Sequence, residues 1–113
     1  MDTKAHQRRN ARLDIVADGP VLVLAGDFDV RSTWEVRTAL YELMAMHDDV
    51  QVDLTDVVSV DVTALKVLAV ASHQATREGR HLSLRGCNGA VRRLLHMTHL
   101  IRLVEVERQA ASA

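Results

Sequence analysis

Three groups of polar residues stand where apolar runs give way to amphipathic stretches. Asp27 and Asp29 follow Val21–Ala25 and Gly26. Asp53 and Asp56 end or follow the alternating run Val50–Leu54. Asp61 and Thr63 open an amphipathic stretch that continues to Glu78. Carboxylates clustered at strand ends can bind Mg²⁺ for phosphoryl transfer. A hydroxyl at a helix N-terminus is a phosphoacceptor position, because the free N–H groups there can hold phosphate. The same residue types also cap helices, accepting from orphan N–H groups and complementing the backbone dipole. Capping and function are compatible roles.

Other chemistry has weaker support. The chain has no G-x-G-x-x-G, no Walker A lysine motif and no G-x-S-x-G elbow. His96 and His99 are three apart on a helical stretch, but no third ligand accompanies them, so they read as packing or surface histidines. Cys87 sits beside glycines with no base in reach of its segment and reads as a small inert thiol. Neither a metal nor a cofactor is expected. A receiver-like Mg²⁺ domain needs a lysine at the end of a late strand beside the acidic cluster; this chain offers none there, and one acidic pair follows the second strand rather than the first.

The elements that must position these groups follow from periodicity. Leu13–Val16 and Val21–Ala25 read as strands, joined through Ala17-Asp18-Gly19-Pro20 as a hairpin. The second run is continuously apolar, the pattern of a central strand covered on both faces. Ser32 and Glu35 form an S-x-x-E capping box. Val36, Ala39, Leu40, Leu43 and Met44 then follow at helical spacing, with Arg37 and Glu42 off that face. Val50–Leu54 is a strand, and a short loop holds Val57, Val58 and Val60. A second helix runs from about Asp61–Thr63 to Glu78 and stops at Gly79. Its alanines, Ala64, Ala69, Ala71 and Ala75, predict close packing on a sheet. His81–Arg85 is a strand and Gly86–Gly89 a turn. Asn88 caps a third helix through Val91, Leu94 and Leu95, and Leu103–Val106 is a last strand.

The order β-β-α-β-α-β-α-β predicts one α/β domain: a mixed, mostly parallel sheet of about four or five strands with helices packed on it. Residues 1–12 read as a flexible basic arm, 13–108 as the domain and 109–113 as a frayed tail. In such sheets function gathers at the carboxyl ends of the strands.

Composition narrows the function classes. At 113 residues, 48% apolar and 26% charged, the chain has the make-up of one globular domain. Its only aromatics are Phe28, Trp34 and Tyr41. The core is therefore aliphatic, and a base-stacking platform for nucleic acid is excluded. The longest stretch without a charged side chain, Val67–Thr76, is half of what a membrane span needs. The polar N-terminus lacks the apolar region of a secretory signal, and a single cysteine excludes an internal disulfide. These features predict a cytoplasmic protein. Charge is segregated: +3 over 1–12, −9 over 13–61 and +5 over 62–113.

Asp53-Leu54-Thr55-Asp56-Val57-Val58-Ser59-Val60-Asp61-Val62-Thr63-Ala64-Leu65-Lys66-Val67-Leu68 resembles the central motif of STAS domains of the anti-sigma factor antagonist type, roughly D-L-S-x-V-x-x-I-D-S-S-G-L-G-x-L. Gly26-Asp27-Phe28-Asp29 resembles that family's G-E-L-D. Glu78–Leu84 resembles E-G-G-x-L-x-L, and Val91–Leu100 resembles V-x-x-x-L-x-x-T-G-L. The likeness spans about residues 13–106. The chain departs from the motif at Val62, Ala64, Lys66 and His99.

The resemblance implies a STAS-like fold and a regulatory binding module rather than an enzyme. Such a module binds an anti-sigma factor with a kinase-type ATPase fold and frees a sigma factor. Thr63 falls on the family's phosphorylated serine, so phosphorylation there would switch binding off, and a serine/threonine phosphatase would reset it. The implied contact surface is Gly26, Asp27, Asp29, Asp61, Val62, Thr63, Ala64, Leu65 and Lys66. An oligomer is compatible with it. The alternative is a constitutive STAS subunit of a stress-sensing assembly or of a lipid-transport ATPase complex.

Overall fold

The computed structural model describes residues 13–107 and the backbone of Arg8 and Arg9. The strands are β1 (Arg8–Arg9), β2 (Leu13–Asp18), β3 (Val21–Phe28), β4 (Asp49–Val60), β5 (His81–Arg85) and β6 (Glu105–Val106). The helices are α1 (Thr33–Met46), α2 (Val62–Arg77) and α3 (Gly89–Met97), with 3₁₀ turns at Val30–Ser32 and Leu100–Leu103. The rest of the arm 1–12 and the tail 109–113 lie outside the described residues.

The strands lie side by side in chain order. β1–β2 and β2–β3 are antiparallel, and β3–β4, β4–β5 and β5–β6 are parallel. The mixed, mostly parallel α/β sheet is thus as expected. Each crossover steps to the next strand in one direction, and right-handed crossovers of that kind put all their helices on one face. The burial pattern agrees. Leu22 and Leu24 on β3, Val50, Val52 and Leu54 on β4, and Leu82 and Leu84 on β5 are buried. They join Val36 and Leu40 of α1, Leu65 and Leu68 of α2, and Val91 and Leu95 of α3 in one core. Burying each such side chain contributes about 1.5–3 kcal/mol. β3 is central but covered on one side only, because Val21, Val23 and Ala25 stay half-exposed. Its unbroken apolar run had pointed to cover on both faces.

Three boundaries differ from the periodicity. β4 continues through the segment expected to be a loop, to Val60. Its pairing with β3 shifts register between Val23 and Ala25 and again between Gly26 and Asp27, each time with an extra residue on β4. Such bulges break the period of two, which makes the strand's second half look irregular. Gly26, at φ 112°, supplies the backbone for the second shift. The last strand is shorter than expected, because Leu100–Leu103 winds as a 3₁₀ turn. Ser32 does not cap α1. The chain enters that helix through the 3₁₀ turn, and Ser32 is buried with its hydroxyl donating to the Asp29 carbonyl (3.3 Å).

The remaining caps are as read from sequence. Asn88 accepts from the Val91 N–H (3.0 Å), and it donates to the Val57 carbonyl, tying α3 to β4. α2 ends before Gly79, and its buried Ala64, Ala69, Ala71 and Ala75 let it lie close against the sheet.

Candidate functional site

The end of β3, the end of β4 and the start of α2 meet at one corner of the sheet. Asp61 organises it. Its Oδ1 accepts from the Ala64 N–H (2.8 Å), closing the first turn of α2. Its Oδ2 accepts from the Val30 N–H (3.2 Å), and its own N–H donates to the Phe28 carbonyl (3.3 Å). One residue therefore fixes the helix start against the turn that leaves β3.

Capping by Asp61 leaves Thr63, the second residue of α2, with its side chain exposed. It stands where the positive end of the helix dipole favours an anion. Val62 and Lys66 are exposed beside it. Ala64 and Leu65 are fully buried, so their side chains serve the core and present no contact surface.

Asp29 also has a structural task. It caps the 3₁₀ turn by accepting from the Arg31 N–H (3.0 Å), and it accepts from the Arg31 guanidinium through both carboxylate oxygens. That hydrogen bond from Arg31 raises the guanidinium's pKa above its ordinary value. Asp27 is half-buried and accepts from the Ser59 hydroxyl (2.8 Å), the residue opposite it on β4. Gly26 is partly exposed just before it.

Asp53 and Asp56 do not belong to this corner. Both lie within β4, well before its end. Asp53 is on the sheet face that carries no helix, accepting from the Thr55 N–H (2.9 Å), the Thr55 hydroxyl (2.6 Å) and the Arg85 guanidinium (3.3 Å). Burial alone would raise its pKa. The bonds from Thr55 and then Arg85 outweigh that cost and hold the carboxyl below the usual carboxylate range.

The carboxylates that a Mg²⁺ site would need are thus spread over separate partners. Among the described residues no group of three His, Cys, Asp or Glu is placed to hold a metal ion. His96 is exposed near the end of α3, and His99 adopts a left-handed conformation (φ 64°) beyond it. Cys87 is buried, and burial pushes its thiol pKa up, which opposes thiolate formation. Sequence reasoning missed Ser59 and Val30. Ser59 was hidden in the supposed loop, and Val30 acts only through its backbone.

This corner, with a capped helix presenting a hydroxyl, sits within the segment matched by one family model. The model is described as "Mlab, STAS domain", and it matches residues 11–105. The chain belongs to the STAS domain family. Solved structures agree on the fold. TM1081 of Thermotoga maritima, solved by NMR, superposes with a TM-score of 0.66 at 20% identity, covering 95% of this chain and 89% of that one. An anti-sigma factor antagonist from Mycobacterium paratuberculosis gives 0.69 at 20% identity, covering 87% and 86%. The unphosphorylated form of the Bacillus anti-sigma factor antagonist SpoIIAA gives 0.65 at 9%, covering 86% and 89%. No curated protein matches the chain. No helix among the described residues of this STAS domain is long and apolar enough to cross a membrane.

Proposed function

We propose that this STAS domain is an anti-sigma factor antagonist: a cytoplasmic binding module, not an enzyme, that engages an anti-sigma factor with a kinase-type ATPase fold and so frees a sigma factor. The exposed Thr63 hydroxyl on a helix start already capped by Asp61 carries this reading. The partner's kinase phosphorylates Thr63, and a serine/threonine phosphatase removes the group. The contact surface is Gly26, Asp27, Asp29, Asp61, Val62, Thr63 and Lys66. Phosphate at Thr63 adds about −1.5 to −2 charges beside Asp61. The helix dipole tolerates it, so the fold persists while bulk and charge occupy the contact surface. Affinity capture from the native host, identification of the retained ATPase and incubation of the purified pair with ATP test this. Phosphate mapped to Thr63, with loss of binding, is the expected result.

A second reading keeps the surface and drops the switch: a constitutive STAS subunit of a stress-sensing assembly or a lipid-transport ATPase complex. Threonine rather than serine at position 63 favours it. Tight binding of the partner with no phosphate on Thr63 would select it.

A further inference from the structure

Besides their core stripes, α1 and α2 each carry a second stripe of exposed and half-exposed side chains. On α1 it is Trp34, Arg37, Thr38 and Tyr41. On α2 it is Thr63, Lys66, Val67 and Val70. Both have the i, i+3, i+4, i+7 spacing that puts side chains on one helical face. The two stripes line two adjoining stretches of a shallow groove, one with Gln74 beside Trp34, that share Arg37 and Tyr41. The stretch ending at Thr63 has a volume of about 340 Å³.

The stretch ending at Thr63 is the apolar one, lined by Tyr41, Val67 and Val70 between Arg37 and Lys66. Trp34, the only tryptophan of the chain, is 72% exposed, and Val70 is 57% exposed. Arg37 lies 5.5 Å from the centroid of the Tyr41 ring. Exposed aromatic side chains beside arginine are the composition of interface anchors rather than of solvated surface.

The charges on its rim are of one sign. Arg37 and Lys66 have no carboxylate within ion-pair distance among the described residues. The acidic side chains of α1, Glu35 and Glu42, stand on its other flank, toward Ile15 and Leu22. A second copy meeting this face across a two-fold axis would bring cations against cations, and the chain's own arm is basic as well.

We infer that the α1–α2 groove receives an amphipathic helix of a protein partner, with an apolar stripe flanked by carboxylates. The apolar stripe covers Trp34, Tyr41 and Val70, and the carboxylates pair with Arg37 and Lys66, the helix-in-groove mode of recognition. This inference rests on the reading of the Thr63 face as a partner surface and adds the chemistry of what binds beside it.

Trp34 reports on the groove directly. The probe is a tryptophan-free helical peptide of about 18 residues, long enough to hold helical structure, with leucines on one face flanked by glutamates. A twin has lysine in place of each glutamate. The acidic peptide shifts Trp34 emission to the blue and saturates, and the basic twin does not. Arg37→Glu with Lys66→Glu weakens the acidic peptide by about tenfold, the sum of two surface pairs lost and reversed, and admits the basic twin. Val70→Asp weakens the acidic peptide, with far-UV circular dichroism checking the fold. The peptide titration uses neither ATP nor phosphate on Thr63, so failure of the phosphorylation switch and failure of the groove are separate results. No saturable shift with the acidic peptide, an equal response to both peptides, or a shift only with phosphatidylglycerol vesicles overturns the inference.

Discussion

The Asp61 carboxylate accepts from the Val30 N–H at 3.2 Å, across 31 positions of sequence. The same carboxylate caps α2 through the Ala64 N–H at 2.8 Å. The turn after β3 and the start of α2 are therefore one mechanical unit, and the Thr63 side chain projects from it. A change on either side of this link moves the other.

Asp61→Ala is expected to cost more than an ordinary cap. A lost N-cap is about 1 kcal/mol, and the Val30 N–H loses its acceptor as well, so about 1–2 kcal/mol is expected. Asp61→Asn keeps an oxygen for Ala64 and loses less. Asp29→Ala, which uncaps the short 3₁₀ turn and removes the Arg31 pair, costs about 1 kcal/mol or less. Urea unfolding of the three variants checks the order Asp61→Ala, then Asp61→Asn, with Asp29→Ala no worse than Asp61→Ala.

Thr63→Ala should leave stability within about 0.5 kcal/mol of the parent, because Asp61 and not Thr63 caps the helix. It should also leave partner binding on and abolish phosphorylation. Thr63→Glu mimics the off state in part, since it brings one charge and the wrong shape. Intact mass after incubation with the partner and ATP, together with binding isotherms for both variants, tests the set. A destabilised Thr63→Ala would mean that the hydroxyl holds the helix start after all.

Gly86→Ala should be among the most damaging single changes. Gly86 has φ +72°, and an added Cβ would lie 2.1 Å from the Thr55 hydroxyl and 2.8 Å from the Thr55 nitrogen. The left-handed backbone and the clash together predict a loss of about 2 kcal/mol or more. Thr55→Ala with Gly86→Ala should not rescue it, because the backbone of Thr55 is in the way too. Thermal melting of the single and double variants decides this.

Most of the architecture is readable from period and punctuation. The strands Leu13–Val16 and His81–Arg85, the Asn88 cap and the alanine-lined α2 all follow local rules that tertiary contacts do not override. What misleads is non-local. Val57, Val58 and Val60 look like a loop because two bulges against β3 spoil their alternation. Ser32 and Glu35 have the spacing of a capping box, but the chain winds a 3₁₀ turn first, and Asp29 takes the N–H groups. Val21–Ala25 looks doubly covered, since composition cannot tell that every crossover falls on the same side. At the site, Asp27, Asp29 and Asp61 are gathered as expected. Asp53 and Asp56 are not, because the extra length of β4 carries the corner seven residues past Asp53.

His81 and Glu105 supply a pH-dependent contact at the sheet edge. Nδ1 of His81 lies 3.0 Å from Glu105, across β5 and β6. The bond to Glu105 raises the histidine above its ordinary value of 6.5. A raised histidine contributes fully below the unfolded value and loses its contribution as pH rises through the folded one. Hydrogen exchange of β6 amides should therefore be slower at pH 6 than at pH 8 after correction for intrinsic rates, and His81→Gln should remove the difference. An NMR titration midpoint for His81 at or below 6.5 would contradict it.

Asp53 sets an opposite dependence at acid pH. Its folded pKa lies below the ordinary 3.8, because the Thr55 and Arg85 bonds exceed the cost of burial. Between the folded and unfolded values the unfolded chain binds more protons, so stability rises with pH there. The contribution is complete above about pH 5 and is lost as pH falls through the folded value. Asp53→Asn keeps an acceptor for Thr55 and loses the charge that faces Arg85, so acid unfolding of that variant should be shallower. Arg85→Met separates the two sources: it leaves the Thr55 bonds and removes the cation, and the Asp53 midpoint, followed by carboxyl carbon NMR, should rise. An unmoved midpoint in Arg85→Met would assign the whole depression to Thr55, and Thr55→Val would then have to raise it alone.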